Sequence, residues 1–189
     1  MNAMPNTSAG AILGGAESTL ARRLGRRLEK TRLDLHFRLV ERELRRAPVA
    51  HLSEAQKRNR ETHIERVRVY RKRGEFPVNT GFPGKYVPYF RDDRGTLCAV
   101  GYLAARSGND QLVDDVVAAD NHLRIKDVTG GPMLHWIEES GLTQRETARI
   151  QPGYCAEPGY NPIVCAFWAI LPILLEIFEF FLNLFGFGE

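Results

Sequence analysis

An apolar run towards the C-terminus places the strongest constraint on how this chain can fold. No residue at positions 163–175 is charged, and the hydrophobic character continues to Phe187. As a single helix, residues 163–187 would be about 37 Å long, which exceeds the hydrocarbon core of a bilayer at roughly 30 Å. The run therefore predicts a helix whose surface is covered by lipid, by another protein or by the core of a soluble fold.

Three polar side chains fall within the second half of this run, namely Glu176, Glu179 and Asn183. Their spacing places them on one face of a helix. Because a carboxylate in the bilayer interior is costly, we expect this face to contact a protein partner, to lie in the membrane interface or to be buried in a soluble core. Membrane contact is the favoured interpretation. The side chains expected to touch lipid or partner are Ile163, Phe167, Trp168, Ile170, Leu171, Leu174, Leu175, Phe178, Phe181 and Phe185.

The remaining composition is that of an ordinary globular chain. With 189 residues, of which 43% are hydrophobic, there is room for one domain and an appendage. Three cysteines do not make a disulfide framework. The first residues lack the basic and apolar regions of a secretory signal, so the bulk of the chain is expected on the cytoplasmic side, with residues 1–15 as a flexible arm.

Positive charge is concentrated in the first part of the chain. Residues 18–73 contain 18 Lys and Arg against 7 Asp and Glu, whereas the rest contains 8 against 16. This pattern fits a solvated helical face, attraction to anionic lipid headgroups, or nucleic-acid binding. The scarcity of aromatic residues for base stacking, with only Phe37 and Tyr70 available, argues against nucleic acid. The expected basic surface consists of Arg22, Arg23, Arg26, Arg27, Arg71, Lys72 and Arg73.

Local signals predict a mostly α fold. A leucine-rich helix is expected over 18–47, and a second helix over 53–73 begins with a Ser53–Gln56 capping box and ends at Gly74. Prolines and glycines forbid a helix over 75–95. Short helices follow over 96–150. Thr96 is expected to cap the first of them, Gly141 to follow a helix over 133–139, and Thr143 to begin a second capping box. The prediction is a small helical domain over 16–155 with a Pro/Gly-rich central loop, a linker over 156–162 and a C-terminal hydrophobic helix over 163–187.

The residues suggest little catalytic chemistry. Cys98 falls in the first turn of a predicted helix, where the helix dipole lowers a thiol pKa, and His122 or His135 would be its base. A small buried cysteine is the favoured interpretation. His36, His51 and His63 lie in or beside the basic helices and are expected to be exposed. No metal site or cofactor is expected, since no P-loop, GxGxxG, HExxH or CxxC motif is present.

One stretch of the chain carries a distinctive pattern. It comprises VPYFRDDRGTLCAVGYL at 87–103, SG at 107–108, Asn121, Trp136, GLT at 141–143 and IQPGY at 150–154. The pattern resembles a family of uncharacterised bacterial proteins. The resemblance covers residues 76–154 and implies no catalytic role for any of them.

Together these features predict a non-enzymatic, membrane-associated accessory subunit. The C-terminal hydrophobic helix would dock it onto a larger integral membrane protein complex, for example of the respiratory or photosynthetic type, and the basic helices would face anionic headgroups or acidic partners. Two alternatives stay open: a Cys98-dependent hydrolase or transferase, and a soluble basic nucleic-acid-binding module.

Overall fold

The computed structural model describes residues 10–82 and 87–154, with side chains from Arg23 onward apart from Leu24. The predicted linker and hydrophobic helix, with every side chain named for them above, lie outside the described residues. Across the described ranges the chain is mostly helical, as expected. The elements are α1 (Gly10–Arg46), α2 (Glu54–Arg73), α3 (Ala99–Arg106), α4 (Asp110–Asp120), a 3-10 turn (Ile125–Asp127), α5 (Pro132–Ser140) and α6 (Gln144–Ile150).

The long first helix begins earlier than its leucine pattern indicates. It starts at Gly10, inside the range expected to be a flexible arm, and ends at Arg46, two residues before Pro48. The described residues from Lys30 onward belong to one compact unit, whereas the earlier part of α1 belongs to a separate unit. In the described part of the chain, no helix combines the length and the apolarity that crossing a bilayer requires.

The predicted helix ends are confirmed at four positions. Ser53 and Gln56 form the capping box of α2, and Gly74 ends that helix with a φ of 62°. Thr143 and Glu146 form the capping box of α6. Gly141 follows α5 with a φ of 72°. These signals succeed because the partners in each cap are at most three residues apart.

The cap of α3 differs from the prediction. Cys98, not Thr96, is the N-cap, and its Sγ accepts a hydrogen bond from the Gly101 amide at 3.3 Å. The reason is that Leu97 stays extended and pairs with Arg91 as an antiparallel bridge. The helix can therefore begin only at Ala99.

The described helices and the 3-10 turn all contribute side chains to a shared core, with α1 doing so from Leu33 onward and the 3-10 turn through Ile125. Its largest fully buried side chains include Phe37 from α1, Leu103 from α3 and Ile150 from α6, with Phe90 and Tyr154 from loops. The central loop is held together by a buried carboxylate. Asp92 lies in the central loop, is buried, and accepts hydrogen bonds from the amides of Val78, Arg94 and Thr96.

Candidate functional site

Cys98, the cysteine considered for catalysis, is completely buried. Burial raises the pKa of its thiol to about 12, although the Gly101 and Val100 amides act in the opposite direction. The start of α3 therefore holds a protonated thiol at neutral pH, which agrees with the favoured interpretation of Cys98 as a small buried cysteine and not with the alternative of a reactive thiolate. In this setting the sulfur serves as a hydrogen-bond acceptor that caps α3.

The two candidate bases have separate surroundings. His122 Nδ1 lies 2.9 Å from the Pro88 carbonyl oxygen, and its ring contacts those of Phe82 and Tyr89 with centroids 4.8 and 4.4 Å apart. His135 is exposed on α5, with Nε2 3.2 Å from Glu139 Oε1. Within the described residues, no hydrogen bond joins Cys98 to either imidazole, and no group of three His, Cys, Asp or Glu could hold a metal ion.

Five of the seven residues that were expected to form a basic surface have exposed side chains. Arg23, Arg26, Arg27, Lys72 and Arg73 are exposed, while the side chain of Arg22 lies outside the described residues.

Arg71 differs from these five residues because it is only partly exposed. Its side chain is 14% exposed, and its Nη1 lies 2.9 Å from Asp34 Oδ1 on α1. The guanidinium is turned inward because this carboxylate on the neighbouring helix pairs with it.

The expectation that His36 and His63 are exposed is also wrong. His63 is buried on α2 and packs against the Trp136 ring, with centroids 5.6 Å apart. Burial, followed by the charge of Arg66, lowers its pKa to about 4. The burial of His63 could have been recognised from its spacing to the apolar residues of α2. Positions 60, 63, 64, 67 and 70 all lie on the buried face of that helix.

A buried arginine that sequence analysis did not single out joins three parts of the fold. Arg60 donates to the carbonyl oxygens of Leu44 and Gly141 at 2.8 and 3.0 Å, and both of its terminal nitrogens bind the carboxylate of Glu146. It therefore ties α2 to the end of α1, to the α5–α6 turn and to α6.

A second cluster, which we call the clasp, holds the end of α6 and the residues that follow it against α1. It consists of Arg32, His36 and Glu43 on α1 and of Arg149 and Gly153. Arg32 Nη2 donates to the Gly153 carbonyl at 2.9 Å, and Arg149 Nη1 lies 3.3 Å from His36 Nδ1. Arg149 also binds both carboxylate oxygens of Glu43 at 3.1 Å. The spacing of four and seven residues places the three α1 side chains on one face.

The last described residue, Tyr154, is fixed inside the core. Its amide donates to the Val87 carbonyl at 2.8 Å, and its own carbonyl accepts from the Val87 amide and from Asn79 Nδ2, each at 3.4 Å. The Gln151 side chain adds hydrogen bonds to the Ile125 amide and the Leu123 carbonyl. The clasp and these bonds set where the chain leaves the described domain, and they form the candidate functional site.

No family model, curated protein or solved structure matches this chain. The resemblance of residues 76–154 to a bacterial family therefore stays a prediction, and a function has to be argued from the residues and their geometry.

Proposed function

We propose that this protein is a non-enzymatic accessory subunit that docks onto a larger integral membrane protein complex through its hydrophobic segment 163–187. The bulk of the chain would lie on the cytoplasmic side, with its basic residues near anionic headgroups or acidic partner surfaces. The observation that carries this proposal is the absence of charge over 163–175 followed by Glu176, Glu179 and Asn183 at helical spacing. Such a face is costly in lipid and favourable against a partner that donates hydrogen bonds.

The attachment of Tyr154 supports an adaptor role. Because this residue is held by backbone bonds to Val87 and by the buried Asn79, movement of the chain beyond it acts directly on the domain. The chain between Tyr154 and Ile163 could span at most about 30 Å even if fully extended. A docked segment would therefore keep the helical domain close to the complex that binds it.

Membrane fractionation of the full chain tests this proposal. We expect the protein in the membrane pellet after a carbonate wash, and we expect it to co-purify with a defined set of integral membrane proteins in mild detergent. Leu174→Arg places a charge in the uncharged run and costs about 3 kcal/mol of insertion, so most of the protein should move to the supernatant.

A matched control separates this effect from a general effect of added charge. Leu35→Arg introduces the same charge at an exposed leucine of α1, which is 38% exposed, and should leave the fractionation unchanged. The proposal is wrong if the wild-type chain is recovered wholly in the carbonate supernatant and purifies alone without detergent.

A further inference from the structure

His36 lies at the centre of the clasp and is surrounded by cations. On α1 it is flanked by Arg32, one turn earlier, and its ring packs edge-on against Phe37. From α6 it faces Arg149, whose guanidinium points at Nδ1 from 3.3 Å. The one carboxylate of this cluster, that of Glu43, binds Arg149. The two charged side chains that act on the pKa of His36, Arg149 and Arg32, are both cations.

The direction of the hydrogen bond determines which form of His36 fits. Arg149 can only donate, so Nδ1 must accept and must carry no proton. The other ring nitrogen, Nε2, is inaccessible to solvent. The closed clasp therefore requires a neutral ring that is protonated at Nε2 alone. A second proton, at Nδ1, would replace the hydrogen bond by repulsion between the His36 imidazolium and the Arg149 guanidinium.

From this geometry we infer that His36 is an acid-sensitive latch, whose protonation releases the segment 149–154 from α1. The proton comes from solvent and binds at Nδ1 once Arg149 has moved away. In the open form the hydrogen bond between Arg149 and His36 is broken, and Gly153 loses the Arg32 donor that holds it to α1. The inference concerns the folded domain alone and stands or falls independently of docking by the hydrophobic segment.

The pKa of His36 agrees with this assignment. Burial, then Arg149 and Arg32, lower it from 6.5 to about 3, although backbone hydrogen bonds with Ile150 and Arg149 act in the opposite direction. The open form binds the proton below pH 6.5, whereas the closed form excludes it until about pH 3. The clasp is thus fully stable above pH 6.5 and weakens as the pH falls towards 3. With these limits, its opening constant should rise roughly 25-fold between pH 7 and pH 5.

Hydrogen exchange of the full chain in mild detergent measures this opening. The Tyr154 amide, bonded to Val87, and the Gln151 amide, bonded to the end of α6, report on the clasp. After correction for intrinsic exchange rates, we expect their opening constants to rise roughly 25-fold from pH 7 to pH 5. The buried Leu103 in α3 should exchange more slowly at both pH values, because it opens only when the whole domain unfolds.

Two variants identify the residue responsible. His36→Gln keeps an acceptor for Arg149 but cannot titrate, so the increase at Tyr154 should fall below about threefold. His63→Leu removes the other buried imidazole and should leave the increase at Tyr154 intact. The latch is refuted if His36→Gln keeps the full increase, or if Tyr154 and Leu103 exchange together in the wild-type protein.

A measurement on the unaltered protein covers the case in which His36→Gln does not fold. The imidazole carbon resonances of His36 should show a neutral ring down to pH 5 in the native protein. A titration of His36 near its ordinary pKa in the folded state would overturn the inference, because the closed clasp would then tolerate the charge.

Discussion

Replacing Arg60 with methionine should be among the most damaging single changes in the helical domain. Methionine retains much of the aliphatic stem but removes all four hydrogen bonds of the guanidinium. The Arg60 side chain is 5% exposed and that of its partner Glu146 is 19% exposed, so water reaches the vacated site poorly. The change leaves a half-buried carboxylate without its cation and two carbonyl groups without their donor.

The loss of unfolding free energy in Arg60→Met depends on which hydrogen bonds Glu146 keeps. Removing one member of a buried ion pair costs about 3–5 kcal/mol. Glu146 keeps its capping-box bonds to the amide and hydroxyl of Thr143 at 2.8 and 3.0 Å, which stabilise part of its charge. We therefore expect Arg60→Met to lower the free energy of unfolding by about 3 kcal/mol, at the lower end of that range.

Glu146→Gln provides the second arm of a double-mutant cycle. It keeps an acceptor for the capping box, so it should cost only about 2 kcal/mol. Because both changes remove the same ion pair, the double variant should lose at least about 1 kcal/mol less than the sum of the single losses. Urea unfolding followed by far-ultraviolet circular dichroism of the full chain gives the three values.

The same pair predicts a dependence on pH. Burial alone would raise the pKa of Glu146, but Arg60 and the Thr143 amide outweigh it and the pKa is lowered below 4.5. This contribution is present above pH 4.5 and is lost as the pH falls through the lowered value. The difference in stability between wild type and Arg60→Met should therefore shrink in acid.

An exposed arginine on the same helix is the control. Arg58→Met should change the free energy of unfolding by less than about 0.5 kcal/mol. A loss below about 1 kcal/mol for Arg60→Met, or strict additivity in the double-mutant cycle, would refute the role of Arg60 as a joint between helices.

The remaining predictions concern the turns, the buried thiol and the second buried histidine. Gly141→Ala, where a Cβ would lie 2.2 Å from a backbone oxygen of α2 at a φ of 72°, should cost about 3 kcal/mol in thermal unfolding. Gly95→Ala, at a φ of 80° with open space around it, should cost only about 1 kcal/mol. In a variant whose other two cysteines are serine, Cys98 should resist a thiol reagent at pH 7 until denaturant is added, and fast labelling would contradict its burial. Asp92→Asn should cost about 2 kcal/mol, measured by urea unfolding, because an amide nitrogen would face a backbone donor. Between pH 7 and pH 5, His63→Leu should lose about 2 kcal/mol less stability than the wild type, because leucine cannot bind the proton that His63 takes up on unfolding. Urea unfolding at the two pH values measures this difference.

Local signals in the sequence were enough to locate most helix ends in the compact unit. The capping boxes at Ser53 and Thr143 and the glycines at 74 and 141 were recognisable because each motif is completed within a few residues. Cys98 shows the limit of this approach. Its place at a helix start was visible, but the effect of burial on its pKa outweighs the helix dipole, and burial depends on the packing of the whole domain.

The mostly helical character of this chain, the start and end of several helices and the presence of one strongly apolar segment can all be recognised from local patterns of residues. Which basic residues point inward depends on tertiary packing. Arg60 and Glu146 are 86 positions apart, and Arg32 and Gly153 are 121 positions apart. An arginine on a helix has the same local signature whether water or a distant carbonyl receives its hydrogen bonds. Its role depends on the partner that folding brings to it, because a charge is buried only where hydrogen bonds or an ion pair offset the cost of removing it from water.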